Sequence, residues 1–253
     1  AQIEAVHRAV VESDSVIICW AMGLTQHKNS VPTIREVVNY LLARGNIGRP
    51  GAGVCPVRGH SNVQGDRTMG IFEHPPAWLP RLGEVFDFEP PTKVGFDTVA
   101  AIEAMGDGRA KVFFGMGGNF VSAAPDTAAT AAALRHCRLT VQVSTKLNRS
   151  HLDTGDVALI LPARGRTDRA PEVTVEDSMG MVHLSRGTLD PPAPTVLSEV
   201  TIIARLARRL FGAEDPTPWE TFEADHDAVR DRIAQVVPGF EDFNARVRAP
   251  GGF

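Results

Sequence analysis

Val16-Ile17-Ile18-Cys19-Trp20-Ala21-Met22 is apolar at every one of its seven positions. A run this short, bounded by Asp14-Ser15 on one side and Gly23 on the other, reads as a strand. Uninterrupted apolar character, in place of alternation, points to a strand covered on both faces, as in a parallel sheet. Upstream, Ile3, Val6 and Val10 predict a helix over residues 2–12. Downstream comes a polar loop from Gly23 to Asn29. Ile34, Val37, Val38, Leu41 and Leu42 then fall at helical spacing, with Ser30 placed to cap, Pro32 in the first turn and Gly45 to stop the helix. Strand, loop and helix in this order make half of a doubly wound unit.

The pattern returns further along. Asp97 caps a predicted helix over 98–105, ended by Gly106, and Lys111 to Phe114 forms a short strand running into Gly115-Met116-Gly117-Gly118-Asn119. Pro125 and Asp126 open an Ala-rich helix to about His136. Leu139 to Val143 is a strand followed by the polar loop Ser144-Thr145-Lys146-Leu147-Asn148-Arg149-Ser150, and Asp156 to Leu161 is another strand. Short apolar strands separated by helices predict an α/β fold with a mostly parallel sheet and helices on its faces. Ligands of such sheets sit beyond the carboxyl ends of the strands, where the loops after residues 22, 114 and 143 lie.

The rest of the chain reads differently. Residues 71–96 are rich in Pro and aromatics and predict a covering segment with short turns of helix. Val173 to Glu176 and Met181 to Leu184 suggest short antiparallel strands. Ser198 and Glu199 open a helix with Val200, Ile203, Leu206 and Leu210 along one face. Thr217-Pro218-Trp219-Glu220 has the form of a capping box with Pro at the first helical position, and a last amphipathic helix runs to about Val236, broken by Pro238-Gly239.

Between the two αβ runs lies Gly45 to Gly65, with six Gly, two Pro, Arg49, Arg58 and His60 in 21 residues. Glycine lets backbone approach a ligand closely, and Arg offers a planar fork of donors to phosphates and carboxylates. Arg58, between Val57 and Gly59, is either such a ligand-facing group or a solvated surface cation paired with a carboxylate. Gly115 to Asn119 lacks the third glycine of a dinucleotide fingerprint, since position 120 is Phe; it is either a backbone cradle for a phosphate or a tight strand-to-loop turn. Ser144, Thr145 and Asn148 suit a nucleoside or, equally, a turn and cap.

Several classes are excluded. The net charge is −4 with no basic block, so nucleic acid is not an expected partner. No apolar run reaches membrane-spanning length. No G-x-S-x-G elbow occurs. His27, His60, His74 and Cys55 match no metal-ligand spacing, and Cys19, Cys55 and Cys137 contain no CxxC, so no metal residues are expected here. An odd cysteine count without a secretory signal fits a reducing, cytoplasmic compartment. The chain begins at Ala1 without Met and is expected to be a piece of a longer polypeptide.

Ala21-Met22-Gly23-Leu24-Thr25-Gln26-His27, then Gly45-Asn46-Ile47-Gly48-Arg49-Pro50-Gly51-Ala52-Gly53, Pro56-Val57-Arg58-Gly59, Asn62-Val63-Gln64-Gly65, Gly117-Gly118-Asn119 and the run from Gln142 to Pro162 resemble, in order and spacing, the large subunits of molybdopterin-dependent oxidoreductases, in the formate-dehydrogenase-like branch. The resemblance implies Rossmann-like, three-layer αβα domains that bind bis-molybdopterin guanine dinucleotide (bis-MGD) carrying molybdenum or tungsten. It implies that residues 1–58 end one such domain and so form a partial second αβ unit, that 59–165 form most of the other, and that 166–253 form a connecting segment with short strands and two or three helices.

By the same resemblance Arg58 is an active-site residue that stabilises negative charge near the metal, and His60, standing where Gln is usual, relays protons or bonds to the pterin. Met22, Gly23, Gln26 and Gly59 fall near one pterin. Gly115, Gly117, Asn119, Ser144, Thr145 and Asn148 fall around the other dinucleotide. The substrate implied is formate or another small oxidisable or reducible compound. The partners implied are the remaining domains of the polypeptide and an electron-transfer protein. Any iron–sulfur cluster is expected outside this segment, and the segment alone is expected to hold no tight metal site. The competing expectation is a freestanding nucleotide-binding or scaffolding module of the same fold without chemistry.

Overall fold

A computed structural model of the chain describes residues 2–57, 59–72, 74–169 and 171–253. They form an α/β protein of two compact units, residues 1–63 and 64–253.

In the first unit, helix α1 (Gln2–Glu12) leads into strand β1 (Ile17–Trp20), the short helix α2 (Met22–Thr25), helix α3 (Ser30–Ala43) and strand β2 (Gly53–Pro56). β1 and β2 are parallel, with Ile17 opposite Gly53 and Cys19 opposite Cys55. β2 falls within the glycine-rich stretch that the sequence reading treats as loop throughout. The expectation that β1 is covered on both faces also fails. Ile17 and Cys19 are exposed while Ile18 and Trp20 are half-buried, because β1 pairs with one four-residue strand. Ser30 does not cap α3. It is the first helical residue, Asn29 precedes it, and no side chain caps the end. Leu41 on α3 is fully buried, as the apolar stripe requires.

Asn46, also fully buried, fixes the start of the glycine-rich segment. Its Oδ1 accepts from the Val16 amide at 2.8 Å and from Arg49 Nη2 at 3.1 Å, and its Nδ2 donates to the Arg44 carbonyl at 3.2 Å. Asn46→Ala leaves the Val16 amide without this partner, and the expected cost is about 1–3 kcal/mol. Urea titration of the variant against the parent protein, followed by Trp20 fluorescence, measures it.

The second unit begins with α4 (Val63–Thr68), whose first residue lies at the unit boundary, and α5 (Leu79–Phe86), followed by α6 (Thr98–Gly106). Asp97 caps α6 by accepting from the Ala100 amide at 2.8 Å. Strand β3 (Val112–Met116), the short α7 (Phe120–Ala123), α8 (Thr127–Arg135), β4 (Leu139–Ser144), a 3-10 turn (Arg149–Leu152) and β5 (Val157–Pro162) follow. Asp126 caps α8 as expected, accepting from Ala129 at 2.9 Å. The strands form one parallel sheet in the order β3-β4-β5, with Phe114, Val141 and Leu159 in register.

Helices lie on both faces of this sheet. Phe113 points to the side packed by Met105, Val121 and Leu134 from α6, α7 and α8. On the opposite side Val143 and Leu161 pack on Ile202 of α9 (Glu199–Phe211). Further along that second side, Val112, Phe114, Val157 and Leu159 are exposed. α9 buries Ile202, Ala204 and Ala207, whereas Ile203, Leu206 and Leu210 of the expected apolar face are exposed.

An antiparallel pair, β6 (Val173–Glu176) and β7 (Val182–Ser185), and three further helices, α10 (Trp219–Ala224), α11 (His226–Val236) and α12 (Phe243–Arg248), complete the unit. The single last helix of the sequence reading is split at Asp225, whose side chain accepts from the Asp227 amide at 2.8 Å and starts α11 afresh. Nor is Thr217 a helix cap: Pro218 holds that position without a side-chain bond, and the Thr217 amide donates to Asp215 at 2.8 Å.

His226 begins α11 with only 5% of its surface exposed. Burial, then the nearby Arg230 cation, lowers its pKa below the ordinary value of 6.5. The folded state therefore resists a proton that the unfolded chain accepts. Stability is full above the unfolded pKa and falls as pH drops through it towards the lower folded value. Thermal unfolding of the protein between pH 7.5 and 5 should show a falling midpoint, and His226→Gln should flatten that slope.

Candidate functional site: paired strand-end loops

The carboxyl ends of β3 and β4 carry two of the loops singled out from sequence, and the structure brings them together. The Gly117 amide donates to the Val143 carbonyl at 2.7 Å. Asn148 Nδ2 donates to the Gly118 carbonyl at 2.9 Å, and Ser150 Oγ donates to Asn119 Oδ1 at 2.8 Å while accepting from the Val121 amide at 3.0 Å. Asn148 also accepts from the Ser150 amide through Oδ1, and its own amide donates to His151 Nδ1 at 2.8 Å. Asn119 and Asn148 therefore hold the loops in place. Ser144 Oγ likewise closes a turn on the Lys146 carbonyl at 2.7 Å.

The glycines divide by role. Gly117 and Gly118 have φ of +71° and +76°, and a side-chain carbon added at either meets no atom within 4 Å. The backbone there is open to an approaching group, in a conformation that favours glycine. Gly115 has a packing reason to be glycine: an added carbon would sit 2.7 Å from the Phe113 ring and 3.1 Å from Gln142 Oε1. Gln142 is itself buried, with its Nε2 lacking a hydrogen-bond partner. Thr145 is exposed beside these groups in sequence, as are Lys146 and Arg149. The sequence reading passed over Lys146 and Arg149 as members of a polar loop. Their signal was the pair of cations flanking Asn148 directly after a central strand.

In the first unit Met22, Gln26 and Gly59 also converge. Gln26 Nε2 reaches Met22 Sδ at 3.8 Å, and a carbon added at Gly59 would meet Met22 Cε at 3.3 Å. The Val57 amide donates to the Trp20 carbonyl at 2.7 Å, which holds the ends of β1 and β2 side by side. Gly23 is exposed within α2, with open space where a side chain would be, and His60 is exposed. Arg58 lies outside the described residues. Among the described residues no three His, Cys, Asp or Glu side chains cluster to hold a metal ion, and no helix is long and apolar enough to cross a membrane.

Two loops at the carboxyl ends of adjacent parallel strands, with open glycine backbone between them, are the arrangement expected of a ligand-binding αβ sheet. Residues 4–174 match the family model described as molybdopterin oxidoreductase. The chain belongs to the molybdopterin oxidoreductase family. Members of this family are oxidoreductases that use a molybdopterin cofactor with molybdenum or tungsten. Over its whole length the chain is 62% identical to an uncharacterized oxidoreductase of Mycobacterium tuberculosis (strain H37Rv) and covers 33% of that protein. It is 46% identical to Protein YdeP of Escherichia coli (strain K12), covering 34% of it. A 118-residue stretch, 42% of the chain and 12% of the relative, is 35% identical to "Putative formate dehydrogenase YrhE" of Bacillus subtilis (strain 168). The chain thus spans about a third of the length of the full-length relatives it matches.

Proposed function

We propose that this chain is the dinucleotide-holding part of the catalytic subunit of a cytoplasmic, formate-dehydrogenase-like oxidoreductase whose cofactor is bis-MGD with molybdenum or tungsten. Residues 1–58 end one cofactor-binding domain, 59–165 make up most of the other, and 166–253 connect to the rest of the polypeptide. The observation that carries the reading is the joined pair of loops after β3 and β4, with the open backbone at Gly117 and Gly118.

The residues present fit a phosphate-bearing group. Glycine backbone leaves room for it, and Lys146 and Arg149 supply positive charge from the same loop. Thr145 adds a hydroxyl, and the Asn119 and Asn148 amides keep the loops in register with one another. Met22, Gln26 and Gly59 border the second half of the cofactor. When bound, the group supplies a metal centre that exchanges two electrons with formate or another small oxidisable or reducible compound. Arg58 holds negative charge close to that substrate, and His60 takes up or returns a proton there; both roles rest on the sequence resemblance. The electrons leave to a separate electron-transfer partner.

Calorimetric titration of the chain with GDP tests the loop assignment. Saturable heat at millimolar or lower GDP is expected. The double change Lys146→Ala with Arg149→Ala should weaken it by about tenfold or more, since hydrogen bonds to charged groups contribute about 1.5–3 kcal/mol. No heat, or heat indifferent to the double change, overturns the assignment.

A further inference from the structure

β1 and β2 place two cysteines side by side. Cys19 and Cys55 are direct register partners in the parallel pair, and both are exposed free thiols. Register partners on parallel strands project from the same face of a sheet. The neighbouring Cys55 thiol raises the Cys19 pKa above its ordinary value. Neighbouring strands lie about 4.7–4.9 Å apart, within the roughly 4.4–6.8 Å between Cα atoms that a disulfide spans. Cys137, by contrast, is buried in the second unit.

We propose that Cys19 and Cys55 are a reversible oxidation site, closed to a cross-strand disulfide by hydrogen peroxide and reopened by a dithiol. One thiol, as its thiolate, attacks the peroxide oxygen. The O–O bond breaks, sulfenic acid forms and water leaves with the thiol proton. The second sulfur then attacks the sulfenic sulfur, the S–S bond forms and a second water departs. Two thiols lose two electrons and two protons, and one peroxide becomes two waters. A dithiol reverses this by exchange through a mixed disulfide.

The position gives the bond a consequence. Beyond Cys19 the chain runs through Trp20 into Met22, and beyond Cys55 it runs through Val57, bonded to Trp20, to Gly59 against Met22. The cross-link closes a loop containing α2, α3 and the start of the glycine-rich segment, and it ties the two strands just below the Met22–Gly59 contact. This does not depend on the cofactor reading, since it concerns two thiols of one unit.

Hydrogen peroxide treatment of the chain, followed by alkylation and a non-reducing peptide map, tests it. The expected result is a 19–55 cross-linked peptide, a fall in titratable thiols of the denatured chain from the three of the sequence to one, at Cys137, and full recovery with dithiothreitol. The oxidised protein should also unfold at a higher temperature than the reduced one, a rise absent in Cys55→Ser. Separate sulfinic acids at Cys19 and Cys55, a disulfide between two molecules, or oxidation of Cys137 at the same peroxide dose would overturn the proposal.

Discussion

Gly155→Val should lower the stability of the second unit by more than about 3 kcal/mol, a large fraction of the roughly 5–15 kcal/mol of an ordinary protein. Gly155 lies just ahead of β5, where the chain crosses the junction of α8 and β4. A side-chain carbon there would overlap the Cys137 carbonyl oxygen and come within 2.8 Å of its carbonyl carbon. These are backbone atoms, so no rotamer change relieves the clash. Nor can the backbone move apart freely. The Asp156 amide donates to that same Cys137 carbonyl at 3.1 Å, and the Val157 amide donates to Arg138 at 3.0 Å. Relief therefore requires β5 to leave β4, which opens the sheet that carries the candidate loops. Far-ultraviolet circular dichroism in a urea series measures the loss, and GDP binding should disappear with it. A variant within 1 kcal/mol of the parent would show that the crossing adjusts cheaply.

Arg230→Ala should cost about 3–5 kcal/mol in the same unit. Arg230 is 4% exposed and spends every arm of its guanidinium. Nη2 pairs with Asp227, Nε donates to Asn244 Oδ1 at 2.6 Å, and Nη1 donates to the Glu172 carbonyl at 2.8 Å. Arg248 joins the group, donating to Asp227 at 2.8 Å and Glu172 at 3.0 Å. Arg248 first and Arg230 next hold the Asp227 carboxyl below its ordinary pKa. The network joins α11, α12 and the approach to β6. Removing Arg230 strips Asp227, Asn244 and the Glu172 carbonyl of a shared donor at once. Arg230→Lys should recover part of the loss, because one ammonium keeps the charge but cannot reach three acceptors in a plane. Denaturant titration of the three proteins gives the ranking, and equal stability of Ala and Lys variants would refute the account.

What the sequence revealed follows how far apart the deciding residues lie. β3, β4 and β5 were each readable because their apolar runs are local, and the caps Asp97 and Asp126 sit within three residues of the amides they bind. β2 was not readable. Gly53-Val54-Cys55-Pro56 has two turn-forming residues in four, and it is a strand only because β1, more than 30 residues earlier, pairs with it. The closeness of Cys19 and Cys55 was hidden for the same reason. Asn46 reads as a turn residue until the Val16 amide is placed beside it.

The α9 stripe was readable as a pattern, but its burial is set by partners distant in sequence: Ile202 packs on Val143 and Ala163, and Ala204 and Ala207 on the other side of the helix are buried too, while Leu206 and Leu210 stay exposed. At the candidate site the residue types were legible and their occupations were not. Asn119, Asn148 and Ser144 were readable as polar groups at strand ends. Only the fold shows that the Asn119 and Asn148 side chains already bond across to each other's loop and that Ser144 closes its own turn.

The bonds from Asn148 to Gly118 and from Ser150 to Asn119 have a kinetic meaning. Loops tied to each other before any ligand arrives need no ordering step on arrival, so little conformational entropy is lost at that moment. Association there should follow a single exponential whose rate rises in proportion to ligand concentration, without the plateau that a slow rearrangement imposes, and differences among ligands should lie in how fast they leave.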